Sequence, residues 1–376
     1  MWAAEARLLA GEALAGGVRG RGRAAAALRA LSHSRPLPLA EEAPGAVGPP
    51  GRRALQRFPA APELARTVAR TLRLRPGAGP CVFECNPGPG ILTRALLQTG
   101  ARVVALESDA AFLPHLQSLK NSLDGQLEVV HCDFFALDCN SEILKPPAML
   151  SEHLFEGLGI QEVPWTADIP VKIVGFLPSR REPHTLWRLL YSLYQRLSVF
   201  SYGRIELNMF LSEKEYTRLV SKPNEKKYQA LSVLWQIACD IELLHMEPLS
   251  SFVMNSRNCV PQKSKKVESP SNLCLVKMTP RKDLFSESLT PLNSTFFFHL
   301  VKQSFVKHKF KLMDNLNLWN PFDGENILKR LKRQEDDTFN SLFPHEFKYL
   351  FEAMEGSQSF SQMWLFENVE QLTSKS

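Results

Sequence analysis

Residues 83–94 read Phe-Glu-Cys-Asn-Pro-Gly-Pro-Gly-Ile-Leu-Thr-Arg, and the way this stretch folds decides the rest of the chain. The residues that lead into it, Pro80-Cys-Val-Phe-Glu84, predict a short buried strand that ends in an acid. Cys85–Gly90, with Pro87, Gly88, Pro89 and Gly90, predicts a tight turn. Ile91–Leu97 predicts a helix, and Gly100 stops it. A strand, a glycine turn and a helix in that order bring backbone close to a ligand and aim unpaired N–H groups at it, an arrangement suited to a nucleotide.

The same alternation continues outward. Leu64–Leu72 carries apolar residues at 64, 68 and 72, one face of a helix, ahead of the first strand. Arg102–Glu107 predicts a second strand, residues 110–123 a second helix, and Leu127–Cys132 a third strand that closes at Asp133. Strands alternating with helices predict an α/β protein with a doubly wound parallel sheet. Glu107 ends the second strand, where a carboxylate can accept from both hydroxyls of a ribose. Asp133 ends the third, where a carboxylate can take a hydrogen bond from an adenine amine. The third glycine of the dinucleotide fingerprint would fall at Thr93, which disfavours NAD. Gly88, Glu107 and Asp133 at three strand ends fit S-adenosyl-L-methionine better. The competing reading makes them helix caps and solvated strand ends.

Further along, residues 139–168 have no clear period, Val171–Val174 predicts a fourth strand, and 184–200 a long helix with Leu186, Leu189, Leu190, Leu193 and Leu197 inward. Residues 204–211 predict another strand, 228–246 a helix and then a strand, and 255–271, polar and lysine-bearing, a loop. After Pro280 the pattern is helical. The expected organisation is a leader and linker at 1–55, an α/β domain at 56–284 and a smaller helical domain at 285–376.

The leader holds Arg7, Arg19, Arg21, Arg23, Arg29 and Arg35 among alanines, with no lysine, which is the composition of a mitochondrial transit peptide. Glu5 and Glu12 run against that pattern, and a disordered tail is the alternative. Pro36, Pro38, Pro44, Pro49 and Pro50 mark the linker. A charge of +6 only mildly favours nucleic acid. Seven cysteines with no CxxC pair argue against a disulfide framework and against a zinc ribbon, so no metal site is expected. No apolar run reaches the roughly 18 residues of a membrane span.

Taken together, Phe83–Leu96, Val103–Asp109 and Cys132-Asp-Phe-Phe135 resemble successive motifs of the ribosomal RNA adenine dimethyltransferase family. Leu231-Ser-Val233, Phe252 and Leu275–Arg281 resemble its later blocks, so the resemblance covers the chain from about residue 56 onward. It implies a class I S-adenosylmethionine-dependent methyltransferase (Rossmann-like) domain with a smaller C-terminal helical domain. It also implies S-adenosyl-L-methionine as cofactor, with Pro59, Gly88, Glu107 and Asp133 at the cofactor. The stretches VPWTADIP, LSVLWQIAC, LHMEP and LTPLN are similar to the branch of the family that works in mitochondrial transcription. That branch implies mitochondrial RNA polymerase, melted promoter DNA and the mitochondrial DNA-packaging transcription factor as partners, in the matrix nucleoid, with small-subunit rRNA as the alternative substrate.

Two departures from the family bear on chemistry. Where it carries a catalytic Asn-Leu-Pro-Tyr/Phe, residues 176–179 read Phe-Leu-Pro-Ser. The family's asparagine and the next backbone carbonyl hold the adenine amine, and its aromatic ring stacks on the flipped base. Phe176 cannot accept a hydrogen bond and Ser179 offers no stacking surface, while Pro178 is kept. The expectation is a former active site whose methyl transfer is weak or vestigial. The second departure is Gln56-Arg-Phe-Pro59 in place of Gln-Asn-Phe-Leu. Basic residues Lys172, Arg180, Arg181, Arg188, Arg196 and Arg204, and in the helical part Lys307, Lys309, Arg330 and Arg333, are the candidates for a phosphate backbone. The alternative is an ordinary solvated face. Aromatics such as Trp187 and Tyr191 are candidates for stacking single-stranded bases, and residues 360–366 for docking a partner.

Overall fold

A computed structural model describes residues 56–77, 79–123, 125–139, 146–255, 272–306, 311–319 and 324–355. The leader, the lysine-bearing loop, Lys307, Lys309 and residues 360–366 lie outside them. The described residues belong to one compact unit that begins at Ala54.

Nine strands are described: β1 Gln56–Pro59, β2 Cys81–Cys85, β3 Val103–Glu107, β4 Leu127–His131, β5 Val171–Phe176, β6 Glu206–Ser212, β7 Cys239–Pro248, β8 Phe252–Asn255 and β9 Asn272–Pro280. Seven form one sheet in the order β4-β3-β2-β5-β6-β9-β7. β4 to β6 run parallel, and β9 and β7 join antiparallel. The order reverses between β2 and β5, so a crevice opens at the carboxyl ends of these two strands, where α/β sheets hold ligands. β2 and β3 are buried along their whole length, as expected for strands covered by helices on both faces.

The helices are α1 Pro62–Thr71, α2 Ile91–Leu97, α3 Leu113–Asn121, α4 Ser151–Gly157, α5 Glu182–Gln195, α6 Glu213–Leu219 and α7 Ala230–Ala238, then α8 Ser294–Val306, α9 Leu312–Trp319, α10 Gly324–Leu331 and α11 Pro344–Glu355. Alternate residues of the strands serve two cores. Val82, Val103 and Ala105 meet α1 and α2 through Leu64, Val68 and Leu96. Phe83, Val104 and Ile173 look the other way, into a core that contains Trp235 of α7 and continues through Phe297, Phe347 and Phe351 of the later helices. The helices after residue 285 thus share a core with the sheet face. Each fully buried apolar side chain there contributes about 1.5–3 kcal/mol. Among the described residues no helix is long and apolar enough to cross a membrane.

Several cations expected on an open face are built into the fold instead. Lys172 lies 3.0 Å from Glu206 and donates to the carbonyl of Leu72 at 3.1 Å. Buried Arg204 donates to the carbonyls of Trp165, Pro280 and Ala167 at 2.8–3.0 Å, tying the segment before β5 to the end of β9. Arg196 lies over the ring of Trp165. Arg333 reaches both oxygens of Glu346, at 2.8 and 2.7 Å, and so fastens the end of α10 to α11. Tyr194, Phe200 and Tyr202 are buried. A cation paired inside the fold satisfies the same composition count as one on the surface, and sequence alone does not separate them.

β1, β8 and β9 were not read as strands from the sequence. β1 and β8 pair only with each other, as a two-stranded antiparallel ribbon in which Phe58 faces Val253 and Pro59 faces Phe252. At four residues each they are too short for a period-2 pattern to register.

Candidate cofactor and substrate site

The turn after β2 is shaped by backbone that only small residues tolerate. Gly88 has φ +58°, and a Cβ placed on it would stand 2.1 Å from the ring of Phe58. The β1 ribbon therefore lies directly on the turn, with Phe58 edge-on to Phe112 at 5.6 Å. Asn86, at φ +53°, accepts through Oδ1 from the hydroxyl of Ser108 at 2.6 Å, which links the ends of β2 and β3.

Glu107 is fully buried at the end of β3. Its Oε2 accepts from the N–H of Gly88 at 2.8 Å, and its Oε1 from the N–H of Asp109 at 2.7 Å and from Nε2 of Gln56 at 3.2 Å. Burial raises its pKa, and these hydrogen bonds oppose the rise. Asp133, after β4, accepts from the N–H of Phe135 at 2.9 Å; burial raises its pKa and the Arg188 charge opposes that. Glu84, the last acid before the turn, is buried and pushed up to about 8, chiefly by desolvation, with the charge of Glu107 adding to it. The structure thus brings Gly88, Glu107 and Asp133 to neighbouring strand ends, and sets Pro59 in the ribbon that covers the turn.

The residues present suit S-adenosylmethionine. A carboxylate has about four lone-pair sites, and three on Glu107 are taken, one of them by the side-chain amide of Gln56. Gln56 Oε1, meanwhile, is buried and has no partner. An amide that fills one acceptor site and leaves its own oxygen unsatisfied is readily displaced by a ribose hydroxyl. Gln56 opens the Gln-Arg-Phe-Pro segment singled out above, but the sequence gives no signal that its amide, rather than Pro59, meets the acid.

The second half of the site is the end of β5. Gly175 stands where a Cβ would come 2.7 Å from the Cβ of Cys85, so only glycine lets β5 pass the end of β2. Phe176 follows and is held in an aromatic cluster. Its ring stacks on Phe210 at 4.6 Å and 12°, and meets Phe252 edge-on at 5.5 Å. The ring of Phe176 is thus packed on the protein's own rings. Pro178 and Ser179 are half-buried in the turn, and Arg180 and Arg181 are exposed just after it. Arg330 is exposed on α10. Trp187 and Tyr191 line α5 with the ammonium of Lys302 over both rings, at 4.6 and 5.2 Å. Among the described residues no group of three or more His, Cys, Asp or Glu is placed to hold a metal ion.

A sheet of this order, with a glycine turn and acids at successive strand ends, is matched over residues 53–348 by ribosomal RNA adenine dimethylase. The chain belongs to that family. It is 48% identical over 311 residues to dimethyladenosine transferase 2, mitochondrial, of Homo sapiens, which covers 81% of this chain and 78% of that protein. To dimethyladenosine transferase 1, mitochondrial, of Homo sapiens it is 30% identical over 174 residues, 46% of each. The crystal structure of a dimethyladenosine transferase from Plasmodium falciparum superposes with a TM-score of 0.51 at 14% identity, covering 79% of this chain and 96% of that one, and shows the same fold. Membership of the adenine dimethylase family, with its class I methyltransferase fold, makes S-adenosyl-L-methionine the cofactor. The mitochondrial relatives support a mitochondrial location for this member too.

Proposed function

We propose that this protein is a mitochondrial transcription initiation factor built on a dimethyltransferase scaffold. It works with mitochondrial RNA polymerase and the mitochondrial DNA-packaging transcription factor in the matrix nucleoid, and holds the melted strand of promoter DNA. The observation that carries this reading is the fate of Phe176. The position that should present an acceptor to an adenine amine presents a hydrocarbon ring, already stacked on Phe210. Losing such a positioning group typically lowers a rate by about 10²–10³. Exposed Arg180, Arg181 and Arg330 are the proposed contacts to the phosphate backbone; Arg333, paired with Glu346, acts inside the fold.

Methyl transfer to two adjacent adenosines of small-subunit rRNA is the second reading. It is favoured by the cofactor half of the site, where Gly88, Glu107 and Asp133 stand together. Once bound, the cofactor supplies an electrophilic methyl group; Glu107 and Asp133 would hold it, and the segment 176–179 would have to hold the base. Run-off transcription from a duplex promoter and from a pre-melted one, with purified polymerase, separates the two readings. Stimulation on the duplex template and little on the melted one supports the first. Absence of stimulation on both, with ready methylation of an rRNA hairpin, establishes the second in its place.

A further inference from the structure

A cavity of about 270 Å³ opens beside the turn after β5. Its polar lining includes Arg57, Ser179, Glu182, Lys214 and Glu215, the last paired with Arg218, and Leu249 and Leu273 supply an apolar side. Ser179 stands where the family's motif has an aromatic ring, so the small side chain leaves room.

Two charged groups facing this space are incompletely satisfied. Nε of Arg57 is buried with no acceptor. Arg57 senses the charge of Glu182 but makes no ion pair with it, and burial lowers its pKa. Glu182 is only 5% exposed. Its Oε2 accepts from the N–H of Ser212 at 3.2 Å and from the Ser212 hydroxyl, while Oε1 has no hydrogen bond. A guanidinium offers donors only and an ionised carboxylate acceptors only. Leaving the guanidinium N–H of Arg57 buried and unpaired is costly, and Oε1 of Glu182 is an acceptor still open to a ligand. A phosphate would satisfy Arg57 and Lys214 but would set its negative charge against two carboxylates, Glu182 and Glu215. The ligand that relieves both groups is uncharged, with adjacent acceptors on one edge, donors on the next and a flat apolar face for Leu249 and Leu273.

We propose that this cavity holds an unstacked guanine base of a DNA single strand, with O6 and N7 toward Arg57 and the N1–H and N2–H edge toward Glu182. Guanine alone among the bases joins two adjacent acceptors suited to an arginine fork to a pair of donors suited to a carboxylate. The inference rests on the strand-holding role proposed above and adds a base preference to it.

Fluorescence anisotropy on the full chain tests it, with oligo-dT strands that carry one central dG, dA, dC or dT. The dG strand should bind about tenfold more tightly than the others, the size expected of one good bidentate base contact. Arg57→Gln and Glu182→Gln should each bring the dG-to-dT ratio close to one. Should a variant melt early, base analogues in the wild-type protein give the same information. Deoxyinosine, which lacks the N2 amine, and 7-deazaguanine, which lacks N7, should each lose part of the preference. Strands that bind with no base preference, or with a preference for dC, overturn the guanine site and leave the transcription role standing. A guanine preference seen only in RNA strands, or equal competition by free GTP, overturns the DNA-strand assignment. Loss of duplex-promoter stimulation by the wild type in run-off assays is a failure of the functional reading instead, and is read independently of the binding ratio.

Discussion

Replacing Phe176 with Asn and Ser179 with Tyr restores the two groups that the family uses to hold an adenine. The structure also shows what the first change removes. Phe176 makes one stacked and one edge-on ring contact, with Phe210 and Phe252. Each aromatic pair is worth about 0.5–1.5 kcal/mol beyond its burial. Truncating a fully buried Phe costs about 3–5 kcal/mol, and Phe176 is only partly buried. A loss of roughly 2–4 kcal/mol is therefore expected for Phe176→Asn. For a unit of this size that corresponds to a fall in Tm of roughly 3–6 °C. Ser179→Tyr adds a ring at the mouth of the neighbouring cavity and should change stability little. Methyl transfer to an rRNA hairpin with two adjacent adenosines should rise by about 10²–10³ in the double variant, because the positioning bond and the stack return together. Each single variant should gain much less, since groups that act as a unit are non-additive. The assays are calorimetric melting, cofactor titration and methyl transfer on one preparation. A double variant that is folded and binds cofactor, yet transfers no faster than wild type, would refute the reasoning and move the defect to Arg57 and Pro59. So would a wild type that already transfers at the rate of the double variant.

Glu107→Ala should abolish the heat of S-adenosylmethionine binding, while Gln56→Ala, which frees one acceptor site on Glu107, should leave it intact or strengthen it; a Gln56 variant that no longer binds removes the displacement argument. Glu84 ionises near pH 8 in the fold and near 4.5 when exposed, so the unfolded state releases its proton first and stability falls as pH rises between those values. The fall from this group alone is on the order of 5 kcal/mol, and denaturant titration across that window should show a flatter profile for Glu84→Gln; equal slopes would contradict the assignment. Arg333→Ala leaves Glu346 without its bidentate partner between α10 and α11, and should lower stability by roughly 1–3 kcal/mol, with strand affinity unchanged; a drop in strand affinity at unchanged stability would return Arg333 to the surface contacts. Residues 1–40 should direct a fused reporter to mitochondria, and replacing Arg7, Arg19, Arg21 and Arg23 with Glu should leave it in the cytosol.

The parts of the fold legible in the sequence are those with a strong local signature. β2 to β5 are apolar runs bounded by turn residues, and Gly88, Glu107 and Asp133 fall at strand ends by position alone. What escaped are features fixed by contacts between distant residues. The β1–β8 ribbon joins residues about 200 apart in the chain, as Gln56 opposite Asn255 shows, and neither strand is long enough to announce itself. Lys172 and Arg204 read as surface charge, and their partners Glu206, Trp165 and Pro280 became visible only in three dimensions. The Phe176 substitution was legible as a loss. That its ring fills a specific place was not.

That place connects the two halves of the site. Phe252, which meets Phe176 and Phe210 edge-on, opens β8, and β8 pairs with the β1 ribbon that lies on Gly88. The ring of Phe176 therefore buttresses the strand that covers the glycine turn. The ring is packed between Phe210 from β6 and Phe252 from β8, so the ribbon is braced by contacts within the chain. A brace of this kind suits a protein that must present a fixed outer surface to other macromolecules more than one that opens and closes around a base on each turnover. The loss of an acceptor and the gain of a packing contact are then one event, made by a single side chain whose backbone position Gly175 fixes against Cys85.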